Sequence, residues 1–274
     1  MSTTSDDRDH STTGETGEHN NMEPLDNDPV VAQAIEVVET AAAAGVPLRL
    51  LGGLAVRVLT PDYPPRARDD QDMDFASASP FQREVTDVFG RLGFVGDERF
   101  NLLHGDRQMY FRTPDGTRGV DVIMNELTMC HTLDFRHRLG QAPYTLGVTD
   151  LLLSKLQVVE QNEKDVQDSV YLLSAFPVTP EDADRSLSLA RVAEVVGNDW
   201  GWWRTVTRNL DRIVELAGGS LAHLVPENTR HDPVEQARTI RGAADACRKS
   251  MRWKARAKVG ERVRWYNEPE EVGH

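Results

Sequence analysis

Cysteine is nearly absent from this chain: among 274 residues only Cys130 and Cys247 carry a thiol, far apart and outside any CxxC pattern. That excludes a disulfide framework and a cysteine-rich zinc module, and it suits a reducing compartment. Aromatic residues are sparse at 7%, and no apolar run approaches the ~18 residues that would cross a bilayer. The opening stretch, MetSerThrThrSerAspAspArgAspHis, has no apolar h-region of a signal peptide. The expectation is a soluble, cytoplasmic protein with no membrane association. Positive charge is also in deficit, with 31 Lys and Arg against 44 Asp and Glu and a net charge of −13. A chain coated in nucleic acid is excluded, while a local basic patch is not.

The deficit is uneven. Residues 1–30 hold eight acids against one arginine, whereas residues 241–265 hold nine Lys or Arg against two acids. Residues 1–27 have almost nothing apolar to offset the entropy of ordering, so they read as a disordered acidic tail. Order is expected to begin at Asp28, an N-cap followed by Pro29 and the helical spacing Val31, Ala34, Ile35, Val38. Leu48 to Leu51 read as a short buried strand, Gly52 and Gly53 as a tight turn, and Leu54 to Leu59 as the start of a helix. After a proline-containing loop over residues 60–70 comes a second strand, 71–76. A helix follows from Ser79 and Pro80, with Phe81, Val85, Val88, Phe89 and Leu92 on one face and Gly93 at its end. Arg107 to Arg112 and Arg118 to Met124 pair around a turn at Pro114 to Gly116. Thr149 is expected to cap a helix from Asp150 to about Glu160, with a further helix carrying Val166, Val170 and Leu173. The organisation is α+β: a mixed sheet flanked by helices over 28–177, a helical domain over 178–266 ending in a basic segment, and a flexible tail over 267–274.

AspMetAsp at Asp72 to Asp74 is the chemical centre of the sequence. A strand places residues i and i+2 on one face, about 6.5–7 Å apart, so Asp72 and Asp74 can converge while Met73 and Phe75 enter the core. Asp121, between Val120 and Val122 on a later strand, turns the same way by alternation. Three carboxylates at one place suit hard divalent cations on a polyphosphate, and two ions about 3.5–4 Å apart need bridging acids. The GlyGly turn lets helix N-terminal amides approach phosphate oxygens. Lys155, in LeuLeuLeuSerLysLeuGln, falls on an apolar helix face: either it snorkels at the core edge, or its ammonium reaches a bound phosphate or the acids. Asp165 and Asp168, one turn apart on the next helix, read first as a solvated face.

Taken together these residues resemble the nucleotidyltransferase (polymerase beta-like) superfamily. The match reads GlyGlyLeuAlaValArg at Gly52 to Arg57, ArgAspAspGlnAspMetAspPhe at Arg68 to Phe75, and ValAspValIle at Val120 to Ile123. The later LeuLeuLeuSerLysLeuGln and LysAspValGlnAsp at Lys164 to Asp168 look like the AbiEii and MenT type bacterial toxin nucleotidyltransferases. The resemblance implies that Asp72 and Asp74 bind two catalytic Mg²⁺ ions, and that Asp121 completes the site and acts as base. It further implies that Gly52 and Gly53 hold the triphosphate, through backbone amides alone since no serine follows the first glycine. Lys155 would contact nucleotide phosphates, with Asp165 beside it and Arg66 or Arg68 touching the triphosphate. The activity implied is transfer of a nucleoside monophosphate from an NTP such as ATP to an acceptor hydroxyl.

The toxin-like helix motif favours RNA, such as tRNA, as acceptor and implies an antitoxin or other protein partner. A small-molecule acceptor, as in antibiotic nucleotidyltransferases, is the enzymatic alternative; a nucleotide- or partner-binding module without turnover is the other. His104, His131, His137 and Cys130 have no zinc-site spacing and read as structural or surface residues. Trp200, Trp202 and Trp203 read as packing between the two domains. The segment from Arg248 to Tyr266, where basic residues interleave with Trp253 and Trp265, is the candidate RNA-facing element, or a counter-charge to the acidic tail.

Overall fold

A computed structural model describes residues 28–65 and 72–268. The expectations for residues 1–27, for Arg66 and Arg68, and for most of the 267–274 tail lie outside the described residues. Along the chain run α1 (Pro29–Ala43), β1 (Arg49–Leu50), α2 (Gly52–Leu59), β2 (Met73–Ser77), α3 (Gln82–Arg91), β3 (Val95–Gly96), α4 (Glu98–His104), β4 (Gln108–Arg112) and β5 (Gly119–Met124). A hairpin of β6 (Glu126–Thr128) and β7 (Thr132–Asp134) leads to α5 (Val148–Leu156) and α6 (Glu163–Ala175). Then come β8 (Val178–Thr179), β9 (Leu187–Ser188), α7 (Leu189–Asn198), α8 (Trp200–Ala217), α9 (Pro233–Ala246) and α10 (Met251–Ala257).

The main sheet has the order β1-β2-β5-β4-β3. β2 and β5 are parallel and the other pairs antiparallel, so the sheet is mixed and the fold is α+β, as the sequence implies. Alternation gives the sheet two unlike faces. Met73, Phe75, Met109, Phe111, Val120 and Val122 are all buried on one of them. There Phe89 of α3 stacks on Phe111 at 4.4 Å and meets Phe75 edge-on at 5.6 Å. Each such side chain contributes about 1.5–3 kcal/mol by burial. The opposite face carries Asp74, Gln108 and Asp121, all half-buried.

α1 starts where expected, with Asp28 Oδ1 accepting from the amides of Val30 and Val31. Helix boundaries differ from the sequence reading at the start of α2 and at both ends of α5, which stops at Leu156 rather than near Glu160. Gly52 and Gly53 are not a turn ahead of a helix but its first two residues. Thr149 does not cap α5: Gly147 precedes the helix, and the Thr149 hydroxyl instead bonds the Ser186 carbonyl and the Ser188 amide, tying α5 to β9. The α4 helix and the β6–β7 hairpin have no counterpart in the sequence reading.

The helical half is joined to the sheet half by one continuous apolar cluster running from Val31 to Ala244. Polar side chains close the seams. Asn209 of α8 donates to the carbonyls of Leu156 and Val158, at 2.9 and 2.7 Å, where α5 ends. The indole of Trp202 donates to Thr132 of β7, so that tryptophan has the packing role the sequence suggested. No helix among the described residues is long and apolar enough to cross a membrane.

His131 sits in this seam, 6% exposed, with Nε2 2.8 Å from the Thr205 hydroxyl. Burial pushes its pKa down to about 4, against a smaller upward pull from Asp199. Above the ordinary histidine pKa of about 6.5 the ring is neutral folded or unfolded. Between there and about 4 the unfolded chain takes a proton that the folded chain refuses, so stability falls as pH falls through that window. Urea unfolding at a series of pH values should show this decline, and His131→Gln should flatten it.

Candidate active site

Asp74 and Asp121 are directly paired residues of the parallel strands β2 and β5. Adjacent strands lie about 4.8 Å apart, and paired residues point to the same face, so two carboxylates stand side by side on the open face of the sheet. Asp72, just ahead of β2, is exposed. A Cβ on Gly119 would stand 3.2 Å from Asp72 Oδ1 and 3.0 Å from the Tyr110 hydroxyl oxygen. The glycine therefore lets both groups lie close over β5.

The first glycine of α2 completes this corner. The Leu51 amide donates to the Asp74 carbonyl at 2.8 Å, which holds the start of α2 beside the acids. Gly52 has φ +68°, and a Cβ there would collide with Asp74 Oδ2. No side chain caps α2, and its first turn contains no acid. The leading amides of a helix are donors without intrahelical partners, at the positive end of the helix dipole. The pattern is a carboxylate pair for cations next to an amide cluster for anions.

Gly52→Ala tests this contact. A left-handed alanine costs about 1–2 kcal/mol, a loss a thermal melt will register as a few degrees. The displaced Asp74 matters more, because misplacing a reacting group by an ångström can cost about 10²-fold. Any reaction that uses the Asp74 carboxylate should slow by that order while the fold persists.

Residues absent from the sequence reading complete the face. Gln108 donates from Nε2 to Asp121 Oδ1 at 2.7 Å and fixes that carboxylate. Tyr110, cross-strand from Asp121, lies beneath the Arg112 guanidinium at 5.6 Å. Its backbone is held by Asn101, whose amide accepts from Tyr110 N at 2.7 Å and donates to Tyr110 O at 3.1 Å. Period-two alternation on β4, once registered through the Pro114–Gly116 turn, would have found Gln108 and Tyr110.

The other expected site residues fall into two groups. Lys155 forms its ion pairs with α6, 2.9 Å to Asp168 and 3.6 Å to Asp165. Asp165 also closes the capping box of α6 with Asn162. Asp168 is only 1% exposed, so the solvated-face reading of this acid is corrected: it is the buried partner of the lysine. α5 and α6 both pack against α2, which sets this trio behind the glycine helix. Arg66 and Arg68 lie outside the described residues. His104 tilts against Phe100 at the end of α4, and His137 is exposed.

The donor set suits Mg²⁺, since Asp72, Asp74 and Asp121 offer only hard carboxylate oxygens. Among the described residues no three His, Cys, Asp or Glu side chains are gathered as a ready ligand set. The sheet thus brings the acids to one face without closing them around one point.

No family model matches the sequence, and a search of curated proteins finds no match. Solved structures that align with the chain include the antibiotic-resistance factor ANT(2'')-Ia, at 12% identity and a TM-score of 0.37 over 52% of this chain and 81% of that one. The lincomycin-bound lincosamide antibiotic adenylyltransferase LnuA aligns at 15% identity and 0.39, over 53% of this chain and 96% of its own. An antigenic nucleotidyltransferase-like protein from Paracoccidioides brasiliensis aligns at 14% and 0.37, over 82% and 95%.

Proposed function

We propose that this chain is a Mg²⁺-dependent nucleotidyltransferase that moves a nucleoside monophosphate from an NTP to an acceptor hydroxyl, with RNA as the acceptor. The observation that carries the reading is the direct pairing of Asp74 with Asp121 beside Gly52, at the uncapped start of α2. Asp74 and Asp121, with Asp72 at the rim, would hold the Mg²⁺. Bound there, the metal supplies charge neutralisation on the polyphosphate. The amides of Gly52 and Gly53 would grip phosphate oxygens.

The acceptor oxygen attacks the α-phosphorus, and the bond from that phosphorus to the bridging oxygen breaks. Pyrophosphate leaves with the bridging oxygen, and the hydroxyl proton passes to the Asp121 carboxylate, which Gln108 keeps oriented. RNA is favoured over a small acceptor by the basic residues from Arg248 to Arg264. A panel of the four NTPs, each offered with total RNA and with small hydroxyl-bearing acceptors, tests the reading by product mass. A mass increment of one nucleotide on RNA is expected. No increment on any acceptor, with Mg²⁺ present, would contradict it.

A further inference from the structure

One cavity lies away from these acids, and neither Asp74 nor Asp121 lines it. It measures about 870 Å³, between β7, the α7–α8 junction and the C-terminal segment, which is within the size of small-molecule sites. Trp200, Trp202, Trp253 and Trp265 line it together with Arg252 and Arg256. The basic tail therefore folds back as a wall, with Trp265 donating to the Thr205 hydroxyl and the Asn267 amide to the Cys130 carbonyl.

Charge at this wall is not balanced. Of the acids along the cavity, Asp134 is paired with Arg136 and Glu194 with Arg191, while Asp199 caps α8 through the amides of Gly201 and Trp202. Arg264 is paired with Glu268. Arg256 bonds only carbonyls, those of Gly260, Val263 and Arg264, and lies over Trp200 at 4.9 Å. Arg252 is exposed, and neither arginine has a carboxylate partner among the described residues. The indole N–H of Trp253 is buried without an acceptor.

The half-buried rings of Trp253 and Trp265, beside two guanidiniums without carboxylate partners, match one ligand chemistry: a planar base carrying a phosphate. We propose that this cavity is a second nucleotide site, binding a nucleoside phosphate with its base against Trp253 and Trp265 and its phosphate at Arg252 and Arg256. The ligand is either a free mononucleotide or the end of an RNA strand. In taking RNA as one source, the proposal rests on the acceptor reading above.

All five tryptophans of the chain are Trp200, Trp202, Trp203, Trp253 and Trp265, so intrinsic fluorescence reports this region and not the carboxylate pair. The full chain is titrated with AMP, with a short oligoadenylate and with inorganic phosphate, by fluorescence and calorimetry. Saturable quenching by AMP or the oligomer, but not by phosphate, is expected. Arg252→Ala should weaken binding about tenfold, Trp253→Phe severalfold, and Asp74→Asn not at all. Oligomer binding at least about tenfold tighter than AMP identifies RNA as the source, and equal affinity a free nucleotide. Absence of quenching to millimolar ligand, or unchanged affinity in both cavity variants, overturns the proposal. Because Asp74 does not line the cavity, Asp74→Asn is expected to remove transfer and leave this binding intact, so failure here and failure of the catalytic reading are separate results.

Discussion

Asp121→Asn should lower nucleotide transfer by about 10³-fold, the order seen when one preorganised electrostatic group is lost from an active site, with little change in melting temperature. The substitution is close to isosteric. The side-chain oxygen of asparagine can still accept from Gln108 Nε2, which now holds Asp121 at 2.7 Å, so the strand and its face are preserved. What disappears is a negative charge beside Asp74, and with it both roles proposed for Asp121, in the cation-holding pair and as proton acceptor. Initial rates of labelled NTP incorporation at saturating Mg²⁺, read alongside a thermal melt, separate this loss from misfolding. Rates within about threefold of the parent would show that Asp121 does neither job.

Asp150→Ala should cost about 3–5 kcal/mol of stability, the penalty for stranding a buried charge. Asp150 is fully buried at the start of α5, where its carboxylate accepts from Arg138 and, at 2.9 Å, from Arg191 Nε. Arg191 is 7% exposed and also donates to the Asp134 carbonyl at 2.9 Å, so this acid links α5, α7 and the β7 strand. Arg138 reaches on to Asp182, and its neighbours hold its pKa above the ordinary guanidinium value despite burial. Removing Asp150 leaves Arg191 desolvated, with the exposed Glu194 as its remaining carboxylate partner and the Asp134 carbonyl as its other acceptor. At roughly 2–4 °C per kcal/mol for a chain of this size, melting should drop by about 10 °C. Asp150→Asn, which keeps an acceptor, should fall between the two. A melt unchanged in Asp150→Ala would show that the seam is held by apolar packing alone.

These two acids also show what a sequence can reveal. Asp121 was legible because alternation between Val120 and Val122 sets its direction, and the Pro114–Gly116 turn fixes the register of its hairpin. The mixed α+β class followed from the same period-two and helical patterns. Asp150 reads as an ordinary helix-start acid, since its partner Arg191 lies 41 residues on and only tertiary folding brings the two together. Lys155 illustrates a third case. Its apolar helix face was visible, but the two acids that engage it lie across a helix–helix contact whose rotation no local pattern sets. The two-residue strands β8 and β9 and the helix α4 are too short for any period to show.

Binding of paramagnetic Mn²⁺ in the presence of a non-hydrolysable ATP analogue, followed by water proton relaxation, is the most direct test of the carboxylate pair. The parent chain should bind Mn²⁺ saturably, more tightly with the analogue than without it, and the Asp74→Asn/Asp121→Asn double variant should lose that binding while melting normally. Equal relaxation enhancement in both proteins would mean that the paired acids of β2 and β5 are not the metal and nucleotide site.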